Sequence, residues 1–457
     1  MSKSFPVPDA TLPFWRTELH ELDNHRSTKE LPTETDVLII GSGYAGASTA
    51  YHLLDNNPSP PSIVILEARQ ACSGATGRNG GHLKPDVYFN VLKYSHQYGA
   101  ENAAEVARFE AANIPAVKDL VEKENIDCDF HLTRAIDVCL DEEQAKETIT
   151  SYRELVKIGI APLGDVHFID GQNAERVTGV KGALCGWSFT AGHVWPYKLV
   201  MHLLSLVVKK GANLQTTTPV TSVSETQDLD GRWTVKTTRG EIKAKKVVFA
   251  SNAYTSAIAS QFTDKIVPVR GICSRIVTPK DKAPPFLPNT YSLRYGPSLY
   301  DYLIPRPDGS IVVGGAKQEF WHNKEWWYNV TDDSKLIEPA KNYFDGLMQK
   351  RFTGWEESGA YTDKVWTGIM GYSSDYMPYV GNVPGKPGQI IIAGFSGHGM
   401  PLIFLSAVGV AKILRKDVEF KDTGIPKLFE PTVERLSSTK NDILDGLATS
   451  GPPASRL

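Results

Sequence analysis

At 457 residues the chain is longer than one compact core usually spans, so two or at most three domains are expected. Hydrophobic residues make up 41% and charged residues 22%, with a formal net charge of −3, a balance that gives no general attraction to nucleic acid or an anionic membrane. No apolar run reaches the length of a bilayer span, and the N-terminus carries no charged segment followed by an apolar core, so neither membrane insertion nor secretion is expected.

The cysteines at 72, 128, 139, 185 and 273 are an odd number, scattered and without a C-x-x-C spacing. They read as free thiols in a reducing compartment, with no disulfide framework or zinc site. Residues 1–34 mix proline, histidine and charge with Phe14 and Trp15, and read as an irregular arm over the first domain.

Order begins at Val37–Ile40, an all-apolar run of the kind buried on both faces of a parallel sheet. It enters Gly41-x-Gly43-Tyr44-Ala45-Gly46 and then a helical pattern. Gly41 permits the sharp turn, Gly43 lets a pyrophosphate approach the backbone, and Gly46 lets helix and strand pack closely. The helix N-terminus offers unpaired N–H groups to phosphate. Asn56–Pro61 is a loop, and Ser62–Leu66 a second buried strand ending in Glu67. An acid about twenty residues past the glycines takes the adenosine ribose hydroxyls and disfavours a 2′-phosphate.

Glu67 is followed by Ala68-Arg69-Gln70-Ala71-Cys72-Ser73-Gly74-Ala75-Thr76-Gly77-Arg78-Asn79-Gly80-Gly81-His82. So many small residues cannot fill a core, and the backbone is expected to lie against something flat or charged. The stretch resembles the second cofactor segment of the FAD-dependent oxidoreductases of the D-amino-acid oxidase, glycine oxidase and sarcosine oxidase superfamily, nearest the branch containing gamma-glutamylputrescine oxidase. The resemblance implies a segment running from pyrophosphate to isoalloxazine, with Arg78 and Asn79 near the ring and His82 just beyond.

Farther on, 99–124 reads as helical, with Pro115 kinking it or dividing it in two; His131–Leu140 reads as a strand and 141–159 as an amphipathic helix. After Gly182–Pro196 a helix runs through Val208. By resemblance, Thr216–Val223 is the strand beside the adenine, with Val220 the contact, and the strand ending Val-Val-Phe-Ala-Ser-Asn-Ala-Tyr puts Ala250, Ser251 and Asn252 beside the pyrophosphate. Ile266–Gly271 resembles the strand crossing into the substrate sheet, and Tyr300–Gly315 is a hairpin around Pro-Asp-Gly. Phe320, Trp321, Trp326, Trp327 and Tyr328 suit an amine-binding cage, core packing or a dimer surface. Trp366–Gly381, with Gly368 and Gly371, matches a further block of the family. Ile390–Ala393 opens through Gly394, Phe395, Ser396, Gly397, His398, Gly399 and Met400 into a helix expected over Pro401–Leu414, whose N-terminus would face the flavin.

The resemblance implies an α/β fold: a discontinuous Rossmann-like FAD-binding domain of the glutathione-reductase type (35–125, 195–265 and 365–420), an antiparallel-sheet α+β substrate domain (126–194 and 266–364), and a tail at 421–457. It implies FAD, an amine or amino-acid substrate losing hydride to give an imine, and return of the electrons to O2; a dehydrogenase or a non-catalytic flavoprotein are the alternatives. FAD is expected to be noncovalent, because no cysteine stands near Gly368–Met370 and Arg78 aligns with the histidine that anchors flavin in some relatives, leaving His82 as the other candidate. Pocket candidates are Tyr300, Tyr302 and Arg306 from the hairpin, Arg294 before it, and His398. Arg270, Arg294 or Arg306 would pair with a carboxylate. Where sarcosine-oxidase relatives carry an oxygen-activating lysine, the alignment places Val312, with Lys317 a few residues on. Ser455-Arg456-Leu457 differs from the peroxisomal Ser-Lys-Leu address by one cation, which implies an import receptor and a peroxisomal location, otherwise cytoplasmic.

Overall fold

The computed structural model describes residues 5–449. The Ser455–Leu457 tripeptide lies outside them. Two sheets organise the chain.

The first sheet has a parallel heart. Gln389–Ala393, Gly240–Phe249, Glu34–Ile40, Ile63–Leu66 and Asn213–Gln215 pair side by side in that order, all parallel. Tyr379–Asn382 closes one edge antiparallel. Val37 and Ile39 face a core built with the helices Tyr44–Leu54, Pro196–Lys209 and Ile403–Lys416, while Leu38 and Ile40 face a second core built on Trp233, Val235 and Ile242. Burial on both faces is why the run carries no alternation. The meander Val220–Val223, Trp233–Thr237 and the first half of Gly240–Phe249 covers the second face.

The second sheet runs Tyr361–Ser373, Ile266–Val277, Ile311–Gly314, Leu299–Pro305, Thr290–Gly296, His131–Cys139, Cys185–His193 and His82–Leu83. Its pairs are antiparallel except Thr290–Gly296 against His131–Cys139, so the expected antiparallel sheet is a mixed one. Tyr361–Ser373 pairs along the whole of Ile266–Val277. The chain therefore returns to the first sheet after Ser373, not at 365.

Packing settles three local features. Ala100–Lys123 is one helix with Pro115 inside it, held by burial of Val106, Ile114, Val117 and Leu120. The last long helix starts at Ile403, since Gly399 to Leu402 form a turn. The arm is a packed part of the fold: Trp15 is fully buried against Trp195, whose indole N–H donates to the Trp15 carbonyl at 2.7 Å. No helix among the described residues is long and apolar enough to cross a membrane.

Candidate functional site

Between the sheets lies a cavity of about 1930 Å³, its open mouth included. One wall comes from strand ends of the first sheet and their turns, through Gly41, Gly43, Tyr44, Ala45, Glu67, Ala68, Arg69, Val220, Ala250, Ser251 and Asn252. Gly74, Ala75, Thr76, Arg78 and Asn79 continue it. The other wall is the second sheet: Arg270, Cys273, Tyr300, Tyr302, Gly368, Met370 and Tyr372, with Lys317, Phe320 and Trp321 beyond the hairpin. Phe395, Gly397, Gly399 and Met400 border it, and Phe5 and Pro6 of the arm reach it.

The glycine turn has hard tolerances. Gly41 sits at φ +112°, and a Cβ there would stand 2.5 Å from the Ala250 carbonyl oxygen. Gly46 is not on the cavity; a Cβ on it would stand 2.0 Å from the Gly41 carbonyl oxygen. Both obstacles are backbone, so the strand–turn–helix corner closes only with glycine. The helix it opens has no side-chain cap, and Gly43 borders the cavity directly before it. Tyr44 N–H donates to Thr76 Oγ1 at 3.1 Å, which ties the second segment to the turn. Glu67 accepts from Ser42 N–H and Oγ (3.1 and 2.8 Å) and from Arg69 N–H (3.0 Å), so its carboxylate orients the turn as well as facing the cavity. An uncapped helix end, an open glycine turn and an acid on the next strand fit a dinucleotide.

A buried clasp holds the middle of the cavity. Asp333 binds Arg69 through both oxygens (2.9 and 3.1 Å) and lies 3.2 Å from Arg78 Nε. Arg78 also donates to the Thr367 carbonyl at 2.6 Å and to Thr11 of the arm at 3.1 Å. Burial pulls the Arg78 guanidinium down to about 10 against the pull of Asp333, so it remains charged at neutral pH.

Other expected residues stand elsewhere. Gly80 abuts the Tyr302 ring from behind, and Gly81 packs on Val194 and Trp15. His82 leaves the cavity and meets Thr290 Oγ1 at 2.7 Å; burial, then nearby Lys84, lowers its pKa and keeps the ring neutral. Gly371 packs on Asn252, and Gly394 N–H takes the Asn252 carboxamide oxygen at 3.0 Å. Ser396 bonds Ser373. Three pocket candidates are removed by their partners. Arg294 is held at 2.9 Å by buried Asp137 and stacks on Phe89; Arg306 pairs with Asp129 between Trp15 and Trp195; His398 turns to Glu110 at 2.6 Å. Of the arginines proposed for a carboxylate, Arg270 alone lines the cavity among the described residues, and its Nε and one Nη donate to the Trp326 and Asp332 carbonyls. Val312 is fully buried in the hairpin, and Lys317 is on the cavity. Trp327 is core, stacked 3.7 Å from Trp321.

The sequence reading missed Asp333, Cys273, Met370, Tyr372 and the arm's Phe5 and Pro6. Asp333 sits in no motif, and the arginines its carboxylate binds are more than 250 positions away. Cys273 and Tyr372 follow only from strand register, Cys273 opposite Gly314 and Tyr372 opposite Val267.

The family model for FAD-dependent oxidoreductases (DAO) matches residues 36–413. The chain belongs to the DAO family. It is similar to gamma-glutamylputrescine oxidoreductase of Escherichia coli K12, 25% identical over 394 residues and covering 84% of each chain. Glycine oxidase of Geobacillus kaustophilus is 23% identical over 391 residues, 84% of this chain and 94% of that one. Its crystal structure superposes with a TM-score of 0.67 over 88% of this chain and 99% of that one. L-proline dehydrogenase of P. horikoshii shares the fold equally well, at TM-score 0.67 and 19% identity, over 88% of this chain and 98% of that one. As a DAO-family member this chain is an FAD-dependent oxidoreductase.

Proposed function

We propose that this DAO-family enzyme oxidises an amine or amino acid at the carbon bearing nitrogen, giving an imine that water hydrolyses. FAD, when bound, supplies the hydride acceptor. Everything else falls to the protein: the first-sheet wall holds the dinucleotide through backbone, and the second-sheet wall presents the substrate.

One observation carries the reading. Among the described residues, no carboxylate or imidazole lines the second-sheet wall. Burial, then the neighbouring Cys273, pushes the Tyr302 phenol well up, and burial also raises Tyr372, so neither is a base at neutral pH. An alcohol would need such a base to take its O–H proton. A neutral amine needs none, since its nitrogen lone pair drives hydride departure from the adjacent carbon. The enzyme's task is then to admit the neutral amine, shut out water and aim the C–H bond. The names of the similar gamma-glutamylputrescine oxidoreductase and glycine oxidase support the same substrate class.

The reading also includes noncovalent FAD. Cys273 is the one cysteine on the cavity, and burial raises its thiol to about 11, which leaves it protonated and a poor nucleophile. It includes O2 as electron acceptor, with H2O2 as product, and a peroxisomal address at Ser455–Leu457, an organelle suited to destroying peroxide. A fluorescent fusion should give punctate signal that deletion of Ser455–Leu457 abolishes; diffuse signal from both removes the address.

Anaerobic mixing with a panel of primary, secondary and cyclic amines and D- and L-amino acids tests the reaction. At least one should bleach the flavin absorbance, with kcat/KM rising with pH up to the substrate's own amine pKa. Bleaching by alcohols alone, or by nothing in the panel, contradicts the proposal.

A further inference from the structure

The charged residues on the cavity are Glu67, Arg69, Arg78, Arg270 and Lys317. Three are already matched. Glu67 takes Ser42 and Arg69 N–H groups, and Arg69 and Arg78 share Asp333, whereas Arg270 forms no ion pair among the described residues and gives Nε and one Nη to main-chain carbonyls. The Lys317 ammonium has no ion pair and no hydrogen bond among the described residues. Its ammonium stands 5.2 Å from the centroid of Tyr300 and 4.5 Å from that of Trp321. Ring faces stabilise the charge but accept no N–H bond in the direction of the cavity.

The backbone that presents this lysine is held under constraint. Ala316 lies at φ +56°, a conformation alanine seldom adopts, and its N–H donates at 2.8 Å to Asp301. Asp301 is fully buried and also accepts from Tyr295 and Tyr343 at 2.9 and 2.7 Å. A left-handed non-glycine residue is strained and persists where surrounding contacts impose it, often at ligand sites. Here the imposed turn sends Lys317 to the cavity.

We infer that Lys317 receives an anionic group of the substrate, a carboxylate carried on the same molecule as the oxidised amine but remote from the reacting carbon. The inference rests on the amine-oxidation reading. Remoteness follows from where the cations are. Arg69 and Arg78, beside the cofactor wall, are matched by Asp333, and Arg270 already gives two donors to carbonyls, so Lys317 is the cavity cation whose head group has no hydrogen bond among the described residues. Tyr302 packs against Gly80 and Gly314; the Tyr300 ring centroid is 6.3 Å from that of Tyr302, and the Lys317 ammonium is 5.2 Å from the Tyr300 centroid. An extended ω-amino acid spans that course, with its amine toward Tyr302 and its carboxylate at Lys317.

The test compares ω-aminopentanoate and ω-aminohexanoate with pentylamine and hexylamine on the FAD-loaded enzyme. Lys317→Met, which keeps the aliphatic stem, should raise KM for the amino acids roughly 10–100-fold, the worth of a hydrogen bond to a charged group, and far more than for the alkylamines. Their kcat should stay near wild type, and Lys317→Arg should restore most of the loss. A readout without turnover is calorimetric binding of hexanoate, expected to weaken by a similar factor in Lys317→Met. Equal KM changes for both series, equal hexanoate binding, or a loss confined to reoxidation of reduced flavin by O2 each overturn the inference while leaving amine oxidation standing. If neither series nor any other amine bleaches the wild-type flavin, the functional reading falls and the inference with it.

Discussion

The two walls of the cavity are built by different means. The first-sheet wall is backbone: a glycine turn, an uncapped helix end and the tips of parallel strands, with Glu67 as its main side-chain contribution. The second-sheet wall is side chain: Tyr300, Tyr302, Met370 and Tyr372, brought together by the sheet's strand pairing, with Lys317 and Trp321 from the short helix after the hairpin. A backbone site is encoded locally, because only certain residues allow the path. A side-chain site is encoded by pairing, which no short stretch contains.

Breaking the backbone wall should have the largest effect. Gly46→Ala puts a methyl 2.0 Å from the Gly41 carbonyl oxygen, so helix and turn must separate. Purified variant is expected without flavin absorbance, although Gly46 does not line the cavity. Retention of normal FAD content would mean that the turn tolerates displacement.

The clasp between the walls comes next. Asp333→Ala strands two guanidinium groups whose side chains are only 7% and 2% exposed. Removing one partner from a buried ion pair costs about 3–5 kcal/mol, to be read from denaturant unfolding with FAD-free protein. A change below about 1 kcal/mol, the range of exposed pairs, would demote the clasp to a surface contact.

Glu67→Gln sharpens the comparison, because Glu67 is the acidic side chain in the backbone wall. Loss of a charged hydrogen bond should weaken FAD about 10-fold or more, and FMN far less, since FMN lacks the adenosine ribose. Ser42 also depends on Glu67, so a small FMN loss is expected. Equal losses would reassign Glu67 to the turn alone.

The smallest effect concerns His398, which borders the wall without joining it. Burial opposes its protonation, but the Glu110 carboxylate and their hydrogen bond prevail and raise its pKa above 6.5. Folded protein therefore binds more protons than unfolded protein between about 6.5 and the raised value, and stability falls as pH rises through that window. Glu110→Gln should flatten this slope. An unchanged slope would detach it from the pair.

This contrast also explains what the sequence disclosed. Val37–Gly46, Ser62–Glu67 and 68–79 carry their function in residue type, and their course along one wall was legible. So was the hairpin, through Pro-Asp-Gly. Arg294, Arg306 and His398 misled because a charged residue near a motif gives no sign of its partner: Asp137, Asp129 and Glu110 lie 157, 177 and 288 positions away. The extent of the second-sheet wall was hidden for the same reason. Residues 365–373 read as part of the cofactor domain by resemblance, yet they belong to the strand Tyr361–Ser373, which pairs with Ile266–Val277.

The central claim is that a backbone-built wall holds FAD without a covalent bond. Acid precipitation of purified protein measures it directly. The account predicts a colourless pellet and one FAD per chain in the supernatant. Colour kept in the pellet, with flavin mapped to Cys273 or His82, or the absence of FAD from correctly folded protein, would contradict it.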